Sequence, residues 1–239
     1  MVKLSGDEKS RYVATMFDRL SSRYDLLNTV MSFGMHHQWR KYATDVATRA
    51  GVTGEALDLA TGTGDFALQL SSRPEVSRVV GLDFAPNMLQ IAIKKAVRQR
   101  KKDRVSWIQG DAQSLPFSDN RFSCITTGFG LRNFSDMGMA LREMVRVAKP
   151  DGRVVILDIV PIRGNNIIHK FKKFYFNRIV PKLGSVLAGD LEGYRYLPES
   201  VEHFVEPEGL VTLMEHAGLR NVSYRLMGFG AVAIHVGEK

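Results

Sequence analysis

The sequence predicts an α/β fold built on a mostly parallel seven-stranded sheet with helices on both faces. Three observations carry this. Short apolar runs alternate with stretches whose apolar residues recur at three and four spacing; the first such run ends in a glycine turn that opens a helix; and the last two runs are joined through glycines as a terminal antiparallel hairpin. The alternation favours parallel neighbours, because each helical crossover returns the chain to the same edge of the sheet. The 239 residues, 44% hydrophobic and 24% charged, suit a single domain over 1–239 with a sizeable core.

Taken in order, residues 1–50 read as an N-terminal helical layer. Its helices span 8–50 and carry Met16, Phe17, Tyr24, Leu27, Met31 and Trp39. Strands are expected at 56–60, 78–83, 105–109, 122–127 and 153–160. Between them, 87–99 and 136–148 have helical spacing, and the second stops at Lys149-Pro150-Asp151-Gly152, where proline and glycine end a helix. Residues 161–206 lack strand character and form a helical, lid-like insertion. The hairpin then pairs 222–226 with 231–236 through Gly228 and Gly230. No internal repeat or low-complexity linker interrupts this order.

The formal net charge of +8 is compatible with a nucleic acid, an anionic membrane surface or no specific partner, so its distribution matters. Residues 94–104 read as the solvated end of a helix, where cations favour the C-terminal dipole. Residues 169–178 interleave cations with aromatics, a mixture that suits either the core side of a helix or a surface for membrane or polyanion. No apolar run approaches the roughly 18 residues that span a bilayer, and the opening MVKLSGDEKSR lacks the apolar segment of a secretory signal. A cytoplasmic location is therefore expected. The single cysteine, Cys124, precludes an internal disulfide or a multi-cysteine metal cluster, and its apolar neighbours predict a buried thiol. His36 and His37 have no further ligands at zinc spacing, so no metal is expected, and His203 reads as a surface residue.

The stretch LDLATGTGDFA contains the chemistry. Gly62, Gly64 and Ala67 fit the GxGxxA pattern of a dinucleotide-binding turn, which clamps a pyrophosphate at a helix N-terminus. Asp58 lies in the strand before this turn, however, and Asp65 stands at the start of the helix after it. Two carboxylates repel a pyrophosphate and suit a ligand with positive charge. S-adenosyl-L-methionine has both an ammonium and a sulfonium, and the glycines let the backbone approach it closely. Asp83 ends the second strand and is placed to accept from ribose hydroxyls in either reading. Asp111 follows the third strand, where its carboxylate suits an adenine amine while the Ala112 amide donates to a ring nitrogen. Each Asp alone fits a cap or turn equally well; together, at the carboxyl ends of successive strands, they point to one ligand site.

Further stretches add a resemblance: Tyr24-Asp25-Leu26-Leu27-Asn28, Ser32-Phe33-Gly34, Trp39-Arg40, Phe129-Gly130-Leu131-Arg132-Asn133 and Tyr194-Arg195-Tyr196-Leu197-Pro198-Glu199-Ser200. With the glycine turn, they make the chain, from about residue 17 onward, resemble the UbiE family of ubiquinone/menaquinone biosynthesis C-methyltransferases. The resemblance implies a class I S-adenosylmethionine-dependent methyltransferase fold, Rossmann-like, with S-adenosyl-L-methionine as cofactor, S-adenosyl-L-homocysteine as product and no metal. It implies a polyprenylated quinol as substrate, most of all demethylmenaquinol on its way to menaquinol, or 2-methoxy-6-polyprenyl-1,4-benzoquinol. It further implies cofactor contacts at Asp58, Gly62, Thr63, Gly64, Asp83, Phe84, Asp111, Ala112 and Gly128, and catalytic roles for Arg132, Asn133 and Tyr24. Two positions depart from the family pattern. Thr61 stands where Gly or Cys is common, and Gly128 where a Ser often lines the cofactor pocket, so a side-chain contact is lost there.

Methylating carbon requires an electron-rich ring carbon, which a hydroquinone provides once a hydroxyl loses its proton. Arg132 is expected to stabilise the resulting anion, with Tyr24 completing the site directly or through water. An arginine is a poor base, so water or a neighbour takes the proton. Arg132 and Asn133 also suit a loop arginine and a helix cap near Ser135, and Tyr24 also suits core packing. The tailed substrate implies a peripheral contact with an anionic membrane surface at its inner face, with the 161–206 insertion as lid; a homo-oligomer is left open. The competing readings are a methyltransferase of RNA or another small molecule, and a non-catalytic dinucleotide module. The former lacks an Asn-Pro-Pro-Tyr-type or paired-cysteine signature, so no nucleic-acid partner is expected.

Overall fold

The computed structural model describes residues 6–49, 51–161, 174–179 and 191–239. The N-terminal layer consists of α1 (Gly6–Leu20), a 3-10 turn (Ser21–Arg23), α2 (Tyr24–Met31) and α3 (Met35–Ala47). The alternating unit follows: β1 (Gly54–Leu59), α4 (Asp65–Leu70), β2 (Val76–Asp83), α5 (Pro86–Arg98), β3 (Val105–Gln109) and β4 (Phe122–Gly128). A 3-10 turn (Leu131–Asn133), α6 (Met137–Val147) and β5 (Ala148–Ile159) complete the parallel part. The C-terminal region holds a π-helical turn (Tyr175–Ile179), α7 (Leu191–Glu202), α8 (Pro207–His216), β6 (Arg220–Met227) and β7 (Val232–Glu238).

The seven strands form one sheet in the order β3-β2-β1-β4-β5-β7-β6. β1 to β5 are parallel; β7 runs antiparallel to both β5 and β6. All seven expected strands are present, and the expected hairpin is inserted in one particular sense. β7 is almost wholly buried, with Val232, Ala233 and Ile234 inside, whereas β6 alternates exposed residues such as Arg220 and Arg225. The apolar strand therefore takes the inner position and the charged one forms the edge, which discourages pairing with a further strand. A second difference lies at Lys149-Pro150-Asp151-Gly152. The helix ends there as expected, but the chain enters β5 directly, with Ala148 already paired to Phe122 and a register shift before Cys124.

The period of two sends neighbouring strand residues to opposite faces. Leu57, Ile125, Val154 and Ile156 pack beneath α6 and α8 against Leu141, Met144 and Leu210. Ala56, Cys124, Val155 and Leu157 pack on the other face against Ala43 and Ala47 of α3 and Phe66 and Leu70 of α4. A smaller cluster of Met16, Leu20 and Leu27 with Tyr12, Phe17 and Tyr196 joins the N-terminal layer to α7. The Cys124 thiol is buried as expected, and burial, helped by the nearby Asp58, pushes it up to about 12. Among the described residues, no helix is long and apolar enough to cross a membrane. Of the basic aromatic stretch 169–178, Lys170, Lys172 and Lys173 lie outside the described residues, as do 162–173 and 180–190 of the insertion.

Candidate active site

The carboxyl ends of β1 to β4 open into a cleft of about 740 Å³, counting its mouth. Its floor includes Gly62, Asp83, Asp111, Ala112 and Gly128; Val13, Ala14, Phe17 and Tyr24 of the N-terminal layer roof it. A smaller space, lined by Arg40, Asp58, Thr61, Thr63 and Asp65, shares Tyr24, Ala60, Gly62 and Gly128 with the cleft. The two therefore adjoin.

The glycine turn is shaped by two different demands. Gly64 has φ 82°, and a Cβ there would lie 2.6 Å from the Trp107 ring and 2.9 Å from Ala92, so packing excludes any side chain. Gly62 has φ 57° and meets nothing nearer than Tyr24 at 4.0 Å, so it leaves open space at the cleft wall. Ala60 (φ 49°) and Phe129 (φ 62°) are left-handed without being glycine, and both line the cleft. Such backbone strain persists where the surrounding structure fixes it, commonly at functional sites.

The predicted acids each have a defined place. Asp58 is 1% exposed; it accepts from the Thr61 hydroxyl at 2.5 Å, the Thr126 hydroxyl at 2.7 Å and the Ala67 amide at 3.1 Å. Burial outweighs these bonds and pushes its carboxyl up to about 6. Thr61, the departure from the family pattern, thus braces the turn through Asp58. Asp65 is less free than the sequence suggested. Lys95 lies at 2.7 Å and Arg40 at 3.7 Å; burial works to raise its carboxyl, but these two cations prevail and hold it below the ordinary value. The rim is therefore of mixed charge rather than acidic throughout.

Asp83 accepts from the Gly62 amide at 2.7 Å and the Ala85 amide at 2.8 Å, and burial pushes it up to about 6. Asp111 accepts from the Gln113 amide at 2.9 Å and faces the same cleft, beside Ala112. Phe84 is exposed at the cleft wall. Thr63 borders only the smaller space, and its hydroxyl is engaged by Asp25 at 2.6 Å. Gly128 has a local reason as well: a Cβ there would stand 3.0 Å from the Phe66 ring, so in this chain a larger residue requires Phe66 to give way.

Of the three predicted catalytic residues, the structure brings Tyr24 and Asn133 to the cleft. It does not bring the Arg132 guanidinium there. Arg132 is buried behind the wall, with Nη1 donating to Asp158 at 2.5 Å and to the Phe129 carbonyl at 2.6 Å. Asn133 is not a helix cap; Asp136 caps α6 by accepting from the Met139 amide at 2.8 Å. Tyr24 stacks edge-on with Phe17, so it packs and lines the cleft at once. His36 bonds Ser32 at 2.7 Å and is pushed down to about 4, chiefly by burial. Among the described residues, no group of three His, Cys, Asp or Glu is placed to hold a metal.

Arg40 is the site residue that sequence reasoning missed. It is 5% exposed, lines the smaller space, lies 5.3 Å from the Phe129 ring and leaves Nη1 without a hydrogen-bond partner. Asp65 Oδ2, at 3.7 Å from this nitrogen, balances its charge without a hydrogen bond, and a buried donor left without one is costly, so an anion placed there satisfies it. The signal was present: Arg40 occupies the buried stripe of α3 with His36, Ala43 and Ala47, where a charge is out of pattern. The two adjoining spaces thus offer the carboxylates of Asp58, Asp65, Asp83 and Asp111, the Ala112 amide and the Arg40 guanidinium. These features fit S-adenosylmethionine, from adenine to methionine end.

Comparison with known proteins gives the same answer. The chain is 45% identical over 224 residues, 94% of its own length and 100% of the relative's, to a demethylmenaquinone methyltransferase of Thermus thermophilus. It is 39% identical over 236 residues, 98% and 90% respectively, to a ubiquinone/menaquinone biosynthesis C-methyltransferase UbiE of Haemophilus ducreyi. In fold it is similar to the crystal structure of the [4+2]-cyclase SpnF, with a TM-score of 0.70 and 16% identity over 96% of each chain. Residues 5–239 match the profile of the ubiE/COQ5 methyltransferase family, and the chain belongs to that family.

Proposed function

We propose that this chain transfers a methyl group from S-adenosylmethionine to a ring carbon of a polyprenylated quinol, with demethylmenaquinol as the first acceptor and 2-methoxy-6-polyprenyl-1,4-benzoquinol as the second. The observation that carries this is the shared cleft: cofactor-type acids on its floor, an apolar roof of Val13, Ala14 and Phe17, and Tyr24, Gln113 and Asn133 as neutral polar side chains in its lining. The names of the relatives point to the same chemistry.

Bound S-adenosylmethionine supplies an electrophilic methyl group. Asp83 accepts from its ribose hydroxyls, Asp111 and the Ala112 amide hold its adenine, and Arg40 pairs with its carboxylate while the Asp58–Asp65 side faces its ammonium. Gly62 and Gly64 shape the backbone wall, and Thr63, Phe84 and Gly128 border it. The Tyr24 hydroxyl and the Asn133 amide are the donors for the quinol oxygen on which negative charge collects when water takes its hydroxyl proton; as the ring carbon accepts the methyl group that charge is drawn back into the ring, which then loses its own hydrogen as a proton to water. Arg132 works from behind the wall as a positioning residue: its ion pair with Asp158 and its bond to the Phe129 carbonyl fix the turn that presents Asn133. Phe17 and Phe134 exclude water, and holding the two reactants in line supplies much of the rate. The tail of the acceptor leaves toward the inner face of a membrane, where the chain makes a peripheral contact with anionic lipid.

Methyl transfer from labelled S-adenosylmethionine to the two reduced acceptors, side by side, tests this reading. Turnover of demethylmenaquinol, slowed but still measurable in Asn133→Ala, is the expected result. If neither quinol is methylated while S-adenosylhomocysteine binds, the acceptor assignment is wrong. The membrane contact is tested separately: replacing Lys170, Lys172 and Lys173 together is expected to release the protein from anionic vesicles.

A further inference from the structure

Of the motifs read from the sequence, Tyr194 to Ser200 is one for which the cleft itself supplies no role. Its residue Tyr196 sits on α7 and is absent from the cleft lining, yet its hydroxyl lies 3.1 Å from Asn133 Oδ1. The amide of Asn133 has a definite sense. Nδ2 faces the Phe129 carbonyl at 3.4 Å, and the reverse orientation would set two oxygens against each other there. Asn133 Oδ1 therefore faces Tyr196, and the tyrosine donates.

This bond leaves Asn133 Nδ2 as the cleft-side donor, because its oxygen is already occupied on the other side. The tyrosine is itself held: its ring packs edge-on with Tyr12 at 6.1 Å and joins the cluster of Met16, Leu20 and Leu27. We propose that Tyr196 is a positioning residue for the acceptor, fixing the Asn133 amide so that its N–H, not its carbonyl, meets the quinol oxygen. Burial keeps the phenol protonated by pushing it up to about 12, so it donates across the working pH range. Amide orientation matters because a phenolate oxygen needs a donor; a carbonyl turned toward it would repel the charge left when the quinol hydroxyl loses its proton. The inference rests on the quinol reading above and adds a residue that never touches substrate.

The test is steady-state kinetics of Tyr196→Phe, Asn133→Asp, Asn133→Ala and the double variant Tyr196→Phe/Asn133→Ala, with the binding of S-adenosylhomocysteine measured on each. Tyr196→Phe is expected to lower kcat about tenfold or more, the loss of one well-placed transition-state interaction, with cofactor Kd within about twofold of wild type. Asn133→Asp keeps the oxygen facing Tyr196 and removes the N–H, and is expected to lose at least as much. Tyr196→Phe is expected to add little in the Asn133→Ala background, because the two residues act as one unit. Wild-type kcat in Tyr196→Phe, an equal loss in both backgrounds, or a parallel fall in cofactor affinity would each overturn the inference. A wild-type enzyme that methylates neither quinol overturns the functional reading, and the inference with it; methylation by wild type that Tyr196→Phe leaves intact overturns the inference alone.

Discussion

The Thr63 hydroxyl donates to the Asp25 carboxylate at 2.6 Å, which ties the glycine turn to the first turn of α2, 38 residues earlier in the chain. Lys95 of α5 closes the arrangement, lying 2.5 Å from Asp25, 2.7 Å from Asp65 and 2.9 Å from the Thr63 oxygen. Two more bonds pin the same layer: Asp18 accepts from the Asn87 amide at 3.0 Å, and Lys9 donates to the Phe134 carbonyl at 2.8 Å. The roof of the cleft is thus fastened to the parts that line its floor.

Removing the central cation should loosen that fastening. Lys95→Met leaves Asp25 and Asp65 without their common partner, and charge-assisted hydrogen bonds of this kind contribute about 1–3 kcal/mol, less where Asp25 is exposed. Isothermal calorimetry is expected to show about tenfold weaker S-adenosylhomocysteine binding, and limited proteolysis should find new cleavage within α1 and α2. Unchanged binding would mean that the layer is held by its apolar contacts alone.

The two glycines of the turn should separate binding from stability. Gly64→Ala forces a Cβ against Trp107 and Ala92 at a positive φ, so a loss of about 2–4 kcal/mol in unfolding free energy is expected. Gly62→Ala meets open space and costs only about 1 kcal/mol of backbone strain, but its methyl enters the cleft and should weaken cofactor binding at least as much as Gly64→Ala does per folded molecule. Thermal unfolding with and without S-adenosylhomocysteine distinguishes them.

Asp83 gives a pH dependence with a defined sign. Its carboxyl in the free protein is pushed up to about 6, first by burial, and in the proposed cofactor pose only the ionised form would accept from both ribose hydroxyls. Cofactor affinity is therefore expected to rise between about pH 5 and 7 and to level off above, and Asp83→Asn should flatten that slope. Stability runs the other way. A carboxyl raised from its unfolded 3.8 to about 6 binds its proton more tightly when folded, so the free protein loses stability from this group as pH climbs through that window. Comparing melting curves of wild type and Asp83→Asn across pH 4 to 7 isolates the contribution, since the opposing effect of His36, depressed to about 4, is common to both.

Arg40→Met removes the buried guanidinium but keeps an apolar body beside Phe129. S-adenosylhomocysteine binding is expected to weaken about 10- to 100-fold, whereas an analogue lacking the carboxylate should bind both proteins alike. Equal weakening for both ligands would assign Arg40 to packing.

Asp158→Asn should reproduce the effect of Arg132→Ala, although Asp158 does not line the cleft. Breaking a buried ion pair by removing one charge costs about 3–5 kcal/mol, so both variants are expected to melt earlier and to lose methyl transfer together. Full activity in Asp158→Asn would show that the Arg132 guanidinium acts without its partner.

The alternation of strands and helices, the glycine turn, and the placing of Asp58, Asp83 and Asp111 at successive strand ends are all legible in the order of residues. These depend on local period and turn chemistry, which the order of residues carries directly. Only the tertiary structure decided that β7 lies inside β6, because that choice weighs the burial of whole strands against each other. It also turned Arg132 toward Asp158, 26 residues away, set Tyr196 on Asn133 across 63, and set Lys95 among Asp25, Thr63 and Asp65. Which partner a charge or amide meets depends on distant segments folding into contact, and no local spacing encodes that. Arg40 stands between the two cases: its place on a buried helical stripe was visible in the sequence, but the space that it borders, with Nη1 lacking a hydrogen bond, exists only once α3 packs against the glycine turn.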